Sequence, residues 1–160
     1  MLVVSDTSPI RALSALDLLS VLHALYGELL VPPSVARELA VSVRNLGAID
    51  VSQLDFVRIQ EPTDQAMLAK MRARLDAGEA EAITLAIETH AEVILIDEAR
   101  GRKVAASLGL RRVGVIGILL EAKKRGIISQ VAPSLETLDR TITFRLSAAL
   151  KKQALEIARE

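Results

Sequence analysis

The chain has 160 residues, and 51% of them are hydrophobic, which indicates one folded domain with a sizeable core and excludes a disordered chain. Its 20 lysines and arginines balance its 20 aspartates and glutamates, so no overall positive field attracts nucleic acid from a distance. The absence of cysteine excludes disulfides and thiolate metal sites, which leaves oxygen ligands or histidine for any metal.

The first half of the chain predicts strands that alternate with helices. Residues 2–5 form a short apolar run, ended by Asp6-Thr7-Ser8-Pro9, a cluster that stops a strand and can cap a helix. The elements predicted after it are a helix carrying Leu13, Leu16, Leu19 and Leu22, a strand over residues 29–31, a helix starting at Pro32-Pro33-Ser34, a strand over residues 56–59 and a helix carrying Met67, Leu68, Met71 and Leu75.

The second half continues the same alternation. The predicted elements are a helix over residues 79–90, a strand over 93–96, a helix closed by Gly109, a strand over 113–116 and a helix closed by Gly126. From Leu135, the positions Leu138, Ile142 and Leu146 share one helical face, and a charged amphipathic helix follows. We place a main domain at residues 1–130 and a helical C-terminal extension at 131–160, packed on the core or on a second subunit.

Alternating strands and helices imply a mostly parallel sheet covered by helices on both faces, a three-layer α/β/α domain. No apolar run approaches the ~20 residues that cross a bilayer. The start of the chain also lacks the basic flank and cleavage pattern of a secretory signal. We therefore expect a cytoplasmic protein with no membrane partner.

Acidic residues lie where predicted strands end or helices begin. Asp6 and Asp97 each follow a strand, and the crevice beyond the carboxyl ends of parallel strands is the usual ligand site of such sheets. Glu38 lies within a helix, and Glu79 and Glu81 share a first helical turn. Residues two apart on a helix differ in direction by about 200°, so we expect only one of this pair to face the site.

These carboxylates also have ordinary structural explanations. Asp97-Glu98 and Glu79 stand at helix starts, where acidic residues complement the helix dipole, and an aspartate after a strand is commonly a cap. Carboxylates gathered at one sheet edge can instead hold Mg²⁺ or Mn²⁺, the ions that oxygen ligands favour. The sequence therefore predicts a metal-dependent enzyme, with capping as the alternative for each single residue.

Four segments of the chain contain the acidic residues considered above. They are Val3-Val4-Ser5-Asp6-Thr7-Ser8, then Val31-Pro32-Pro33-Ser34-Val35-Ala36-Arg37-Glu38-Leu39, then Gly78-Glu79-Ala80-Glu81-Ala82-Ile83, and then Ile94-Leu95-Ile96-Asp97-Glu98 with Gly101-Arg102 after it. In this order they resemble the PIN-domain family of nucleases, and in particular a prokaryotic PIN-like subgroup. The resemblance extends over nearly the whole chain, including residues 144–147.

The resemblance implies Mg²⁺- or Mn²⁺-dependent cleavage of single-stranded RNA, as in the toxins of VapBC-type pairs, which small antitoxins restrain. By motif position the catalytic metal ligands would be Asp6, Glu38, Glu81 and Asp97, with Glu79 and Glu98 as supporting or alternative ligands. Ser8 matches a small polar residue that supports the first aspartate. Two positions depart from the common pattern: a glutamate replaces the usual third aspartate, and Ile96 stands where a polar residue is common.

Basic residues are concentrated after Asp97, and Arg100, Arg102 and Lys103 are candidate RNA contacts. Solvated helix faces are the alternative explanation of this segment. The apolar content and the helical tail favour a homodimer. The rival function is a PIN-fold module that binds RNA or a protein partner with little or no catalysis.

Overall fold

The central sheet contains five parallel strands in a computed structural model that describes residues 1–141, 144 and 146–160. The strands are β1 (Val3–Ser5), β2 (Leu29–Val31), β3 (Val57–Ile59), β4 (Val93–Leu95) and β5 (Arg112–Val113). Their order across the sheet is β3-β2-β1-β4-β5. The crossover connections between parallel neighbours are helical, as parallel pairing requires.

Helices connect the strands and continue beyond the last one. They are α1 (Thr7–Ala15), α2 (Leu19–Tyr26), α3 (Pro33–Leu39), α4 (Gln65–Arg72), α5 (Ala77–Glu88), α6 (Ala99–Ser107), α7 (Val115–Lys124), α8 (Ala132–Arg140) and α9 (Ala148–Ala158), with a short 3-10 helix at Val51–Gln53. Within the described ranges, no helix is both long and apolar enough to cross a membrane.

The two faces of the sheet are buried in separate apolar clusters. Successive strand side chains point to opposite faces, and accordingly Val3 belongs to a cluster with α1, α2 and α7, whereas Val4 belongs to one with α4, α5 and α6. Helices therefore cover both sides of an all-parallel sheet. The predicted three-layer α/β/α architecture is confirmed.

Strand pairing brings the ends of the two central strands to the same edge. Ser5 pairs with Leu95 in the parallel register of β1 and β4, and the Asp6 amide donates to the Leu95 carbonyl at 2.9 Å. Asp6 and Asp97, which follow these strands, consequently lie at the carboxyl edge of the sheet. This edge is the place that parallel topology reserves for a ligand site.

Three predicted elements differ from the structure. The first predicted helix is two helices, because Asp17 adopts a positive φ of 56° between α1 and α2. The strand predicted over residues 113–116 was wrong: β5 ends at Val113, and α7 begins at Val115. Asp97 Oδ1 accepts a hydrogen bond from the Val115 amide at 3.0 Å and so caps the start of α7. The apolar residues 113–116 gave no indication of this helix start.

The helical face predicted through Leu138, Ile142 and Leu146 was also wrong as one continuous helix. The helix α8 ends at Arg140, Thr141 is extended, and α9 starts only at Ala148; Ile142 lies outside the described residues. The last two helices contribute Leu135, Leu138, Ala154 and Ala158 to the same cluster as Val3. Lys123 on α7 fastens α9, since its ammonium donates to the Glu160 carboxylate at 2.8 Å.

Candidate functional site

Asp6 is the most deeply buried carboxylate at the edge of the sheet. It is 3% exposed, and it precedes α1 without a side-chain capping hydrogen bond. Burial raises the pKa of its carboxyl, the Thr7 amide lowers it, and the nearby carboxylates of Glu79, Asp76 and Glu38 raise it; together they bring it from 3.8 to about 8. Asp6 thus lies in a cluster of acidic groups.

Glu79 reaches the same cluster from the first turn of α5. It is 6% exposed, and burial, with Asp76 and Glu98 nearby, raises its pKa from 4.5 to about 7. Asp76 is the N-cap of α5 and accepts the Glu79 amide on Oδ1 at 2.8 Å, which fixes the turn that carries Glu79. Arg100 offsets part of the rise in pKa.

Glu38 joins the cluster from α3, and its carboxylate lies directly against Gly78. A Cβ atom at position 78 would stand 2.7 Å from Glu38 Oε1, so any side chain there would displace the carboxylate. The Thr7 hydroxyl donates to Glu38 Oε2. Glycine at 78 and threonine at 7 therefore hold Glu38 beside the start of α5.

A buried arginine fixes the helix that carries Glu38. Arg11 on α1 is 5% exposed, and its Nη2 donates to the Glu38 carbonyl oxygen at 2.7 Å. Its Nη1 lies 3.4 Å from the Val41 carbonyl. These bonds satisfy carbonyls at the C-terminal end of α3, where helices leave acceptors unpaired. Arg11 therefore ties the position of α3 to the helix that follows Asp6.

Glu81, the residue that motif position favours, turns toward a different neighbour. Its Oε2 accepts the Ser34 amide at 3.1 Å, at the start of α3. Burial raises its pKa, and the Ser34 amide, Arg37 and Arg72 offset the rise. Glu79 contributes to the raised pKa of Asp6, whereas Glu81 is hydrogen-bonded to the start of α3. The two glutamates thus have different partners, as their angular spacing leads us to expect.

Asp97 lies at the same edge of the sheet, on the β4 side. Its Oδ1 caps α7, and its pKa is raised by burial, with the Val115 amide and Arg102 acting in the opposite direction. The close approach needs glycine at 114, where a Cβ would stand 2.7 Å from Asp97 Oδ1. Its Oδ2 is buried and has no hydrogen-bond partner among the residues described. One oxygen of Asp97 is therefore structural, and the other is left for a further partner.

The other predicted site residues do not lie together. Glu98 is exposed near Glu79, and Ser8 is partly buried in the first turn of α1. Arg102 turns to the Asp97 side, where its Nη1 donates to the Ile96 carbonyl at 3.0 Å. Arg100 and Lys103 instead line a shallow depression with Arg74.

Sequence reasoning overlooked four residues of this site. Asp76 carried a recognisable signal, because an aspartate three residues before Glu79 is typical of a helix N-cap. Gly78 and Thr7 adjoin motif residues, but their contacts with Glu38 join segments distant in sequence. Arg11 gave no signal, since an arginine among Ile10, Ala12 and Leu13 suggests an exposed position.

The donor set fits a hard divalent cation in its chemistry. Buried carboxyls with raised pKa values at Asp6 and Glu79, together with the unpartnered Oδ2 of Asp97, are oxygen donors that a cation would stabilise in ionised form. Within residues 1–141, 144 and 146–160, no three acidic or histidine side chains already converge on one ion position. The carboxyl groups lie near one another, and binding an ion requires them to lose their protons and to move closer together.

The chain is a three-layer α/β/α domain with carboxylates at the carboxyl edge of its parallel sheet. The chain belongs to the PIN-domain family, whose family model matches residues 2–160. Membership indicates a nuclease-type fold and a domain of a kind that typically uses divalent metals. No curated protein gives a significant sequence match.

Proposed function

We propose that this protein is a metal-dependent endoribonuclease that cleaves single-stranded RNA in the cytoplasm. The observation that carries the proposal is the burial of Asp6 and Glu79 side by side, with pKa values of about 8 and about 7, at the carboxyl edge of a PIN-type sheet. Burying two carboxylates together destabilises a fold, and a bound cation offsets that cost. Strongly raised pKa values are therefore typical of functional sites.

The proposed ligands are Asp6, Glu79 and Glu38, with Mg²⁺ or Mn²⁺ as the ion. Asp97 adds its free Oδ2 from the β4 side, and Glu98 is an exposed acid near Glu79. Motif position favoured Glu81 as a ligand, but we assign it to the Ser34 amide, where it holds the start of α3. Glu81 would then position Glu38 indirectly, because it holds the start of α3, the helix that carries Glu38.

The chain's own groups prepare the site for an anionic substrate. When bound, the ion supplies Lewis-acid stabilisation of the charge developing on the phosphate and lowers the pKa of an attacking water. Thr7 and Gly78 orient the Glu38 carboxylate, and Asp76 orients the turn that carries Glu79. Arg100 lies close enough to Glu79 to lower its pKa, and it is a candidate contact for a phosphate.

A toxin role with a small antitoxin partner, and a homodimer, belong to the same proposal. They are supported by the resemblance to toxin-type PIN domains and by exposed apolar side chains on α9, where Ile157 is 61% exposed. Measuring the mass of the purified protein in solution tests the dimer, and a monomer would remove that part of the proposal.

A binding module with little catalysis is the second candidate. It is favoured by one observation, that no three acidic side chains of the described residues already converge on an ion position. Such a protein would bind RNA or a partner on the PIN scaffold without a working metal centre.

One experiment separates the two candidates. Purified protein is incubated with mixed-sequence single-stranded RNA, with Mn²⁺, Mg²⁺ or chelator, beside Asp6→Asn and the control Asp17→Asn, which changes an exposed acid in the α1–α2 turn. We expect cleavage that requires metal and persists in Asp17→Asn but not in Asp6→Asn. Cleavage that survives chelator would overturn the metal mechanism, and RNA binding without cleavage would favour the module.

A further inference from the structure

A groove of about 870 Å³ begins at the carboxyl edge of the sheet and extends along β5, in the direction that leads away from Asp6. One end of the groove is formed by Asp97 and Glu98, at the carboxyl edge of the sheet, and the other end reaches Tyr26 on α2. Its outer wall is formed by C-terminal residues, including Phe144 and Leu146. The volume falls within the ~300–1,000 Å³ of pockets that hold small organic ligands.

Guanidinium groups follow one another along this groove. Arg102, Arg112 and Arg111 line it between the Asp97 end and the Tyr26 end. Glu121 also lines the groove, but it is engaged by Arg125 at 2.7 Å. Within the part of the chain that the structure describes, neither Arg111 nor Arg112 forms a salt bridge. These two exposed cations therefore remain available to an anionic ligand.

The groove also holds two of the three aromatic side chains in the chain. The sequence contains one tyrosine and two phenylalanines, and Tyr26 and Phe144 both line the groove. Arg111 lies near Tyr26, since it partly offsets the rise that burial causes in the pKa of Tyr26. Guanidinium and aromatic groups side by side are the combination that binds single-stranded nucleic acid, through phosphate contacts and base stacking.

We propose that this groove binds the nucleotides next to the scissile phosphate, with the backbone against Arg102, Arg112 and Arg111 and a base against Phe144 or Tyr26. The inference rests on the proposed ribonuclease function, because the groove opens at Asp97 and Glu98, beside the carboxylates. It gives the substrate strand a path along β5. The shallow depression of Arg74, Arg100 and Lys103 lies outside that path.

An acidic peptide is the rival occupant, since it would also satisfy the arginines. The RNA strand is favoured for two reasons. The groove is continuous with the edge that carries the proposed reaction, and it contains flat aromatic surfaces as well as cations. A purely acidic peptide would use the cations and leave the rings without a partner.

The test measures binding separately from cleavage. Every variant is made in the Asp6→Asn background and titrated in chelator with a fluorescein-labelled single-stranded RNA of about 10 nucleotides, a length in the range of common single-strand sites. The groove variant is Arg111→Gln with Arg112→Gln. The matched control is Arg58→Gln with Lys70→Gln, two exposed cations on β3 and α4.

We expect the groove variant to bind the RNA at least about 10-fold more weakly and with a smaller salt dependence, because two phosphate contacts are lost. The control should bind as the parent does. Phe144→Ala should weaken binding and leave the salt dependence unchanged, since stacking releases no counterions. Thermal unfolding of each variant establishes that the fold is retained.

Three outcomes would overturn the proposal: no RNA binding by the parent, equal binding by the groove variant and the control, or tighter binding of a poly-glutamate peptide than of the RNA to the control. Failure of the proposed function has a different signature. In that case wild-type protein binds RNA through the groove and leaves it uncleaved in Mn²⁺ and in Mg²⁺.

Discussion

The carboxyl edge of the sheet has two sides, which use an aspartate after a central strand in different ways. On the β1 side, Asp6 is 3% exposed and lies beside Glu79, Asp76 and Glu38, and its pKa rises to about 8. On the β4 side, Asp97 caps α7 through the Val115 amide and lies beside Arg102. Parallel topology brings both residues to one edge, but the local partners decide what each carboxylate does.

The two sides differ in the charges around each aspartate. At Asp97, the Val115 amide and Arg102 offset part of the rise that burial causes in its pKa. At Asp6, the Thr7 amide acts in the same direction, but three carboxylates oppose ionisation. A divalent cation therefore changes the β1 side more than the β4 side. Substitutions on the two sides should therefore differ in effect, most strongly in metal-dependent cleavage and least in helix capping.

Replacing each aspartate by asparagine should separate the two sides in cleavage assays. We expect Asp6→Asn to lower the metal-dependent rate by at least about 1,000-fold, because it removes a charge from the proposed ion site. Asp97→Asn should cost about 10- to 100-fold, as for residues that support a metal site, since its Oδ1 can still accept the Val115 amide. Equal losses in initial rate would contradict the asymmetry.

The fit of Glu38 against the start of α5 can be tested with one methyl group. In Gly78→Ala the new Cβ would meet Glu38 Oε1 at 2.7 Å and push the carboxylate aside. We expect Mn²⁺ affinity to fall about 10-fold or more, as it does when groups that orient ligands are lost. Gly47→Ala is the matched control, because no atom lies within 4 Å of a Cβ there. Unchanged affinity in Gly78→Ala would show that Glu38 is not held at the site.

The pH dependence of stability should reveal Asp6 in metal-free protein. Its pKa is 3.8 in the unfolded chain and about 8 in the fold, so its favourable contribution is complete below pH 4 and is lost as the pH rises to about 8. Asp6→Asn lacks this titration and should be more stable than wild type at pH 8, by on the order of 2 kcal/mol or more. Saturating Mn²⁺ should remove the difference. Urea unfolding at pH 5 and pH 8 measures it, and parallel curves would contradict the assignment.

The capping role of Asp97 should give the smallest effect. Asp97→Ala removes the acceptor of the Val115 amide at the start of α7, and losing a helix cap costs about 1 kcal/mol. Asp97→Asn keeps an acceptor oxygen and should lose less. The comparison by urea unfolding at pH 7 is made without metal, so that only the structural oxygen contributes. Equal stability of the alanine and asparagine variants would show that the Asp97 side chain does not act as a helix cap.

Sequence reasoning was most successful where local pattern and topology agree. Four of the five predicted strands coincide with strands of the structure. Three of them are short apolar runs, and the strand over residues 56–59 was predicted from its alternation. The prediction of the fifth strand, over residues 113–116, was wrong because the apolar residues continue past the end of β5 into α7. The deciding group is the carboxylate of Asp97, which lies 18 positions before Val115. A periodicity window does not include such a contact.

The candidate site was predictable as a set of residues and not as an arrangement. Strand ends indicated Asp6 and Asp97, and helix geometry indicated that Glu79 and Glu81 diverge. Which glutamate faces Asp6 depends on the packing of α5 against α3, and the Ser34 amide that donates to Glu81 is 47 positions away. Arg11 was hidden for the same reason, since its partners are the end carbonyls of a distant helix.

Binding of Mn²⁺ to Glu79→Gln and Glu81→Gln, measured by isothermal titration calorimetry at pH 8, tests the central claim most directly. The two variants make the same chemical change two residues apart on α5. We predict that Glu79→Gln binds Mn²⁺ at least about 10-fold more weakly than wild type, and that Glu81→Gln, which keeps an oxygen for the Ser34 amide, binds within about 3-fold of wild type. Loss of binding in Glu81→Gln with normal binding in Glu79→Gln would contradict the account.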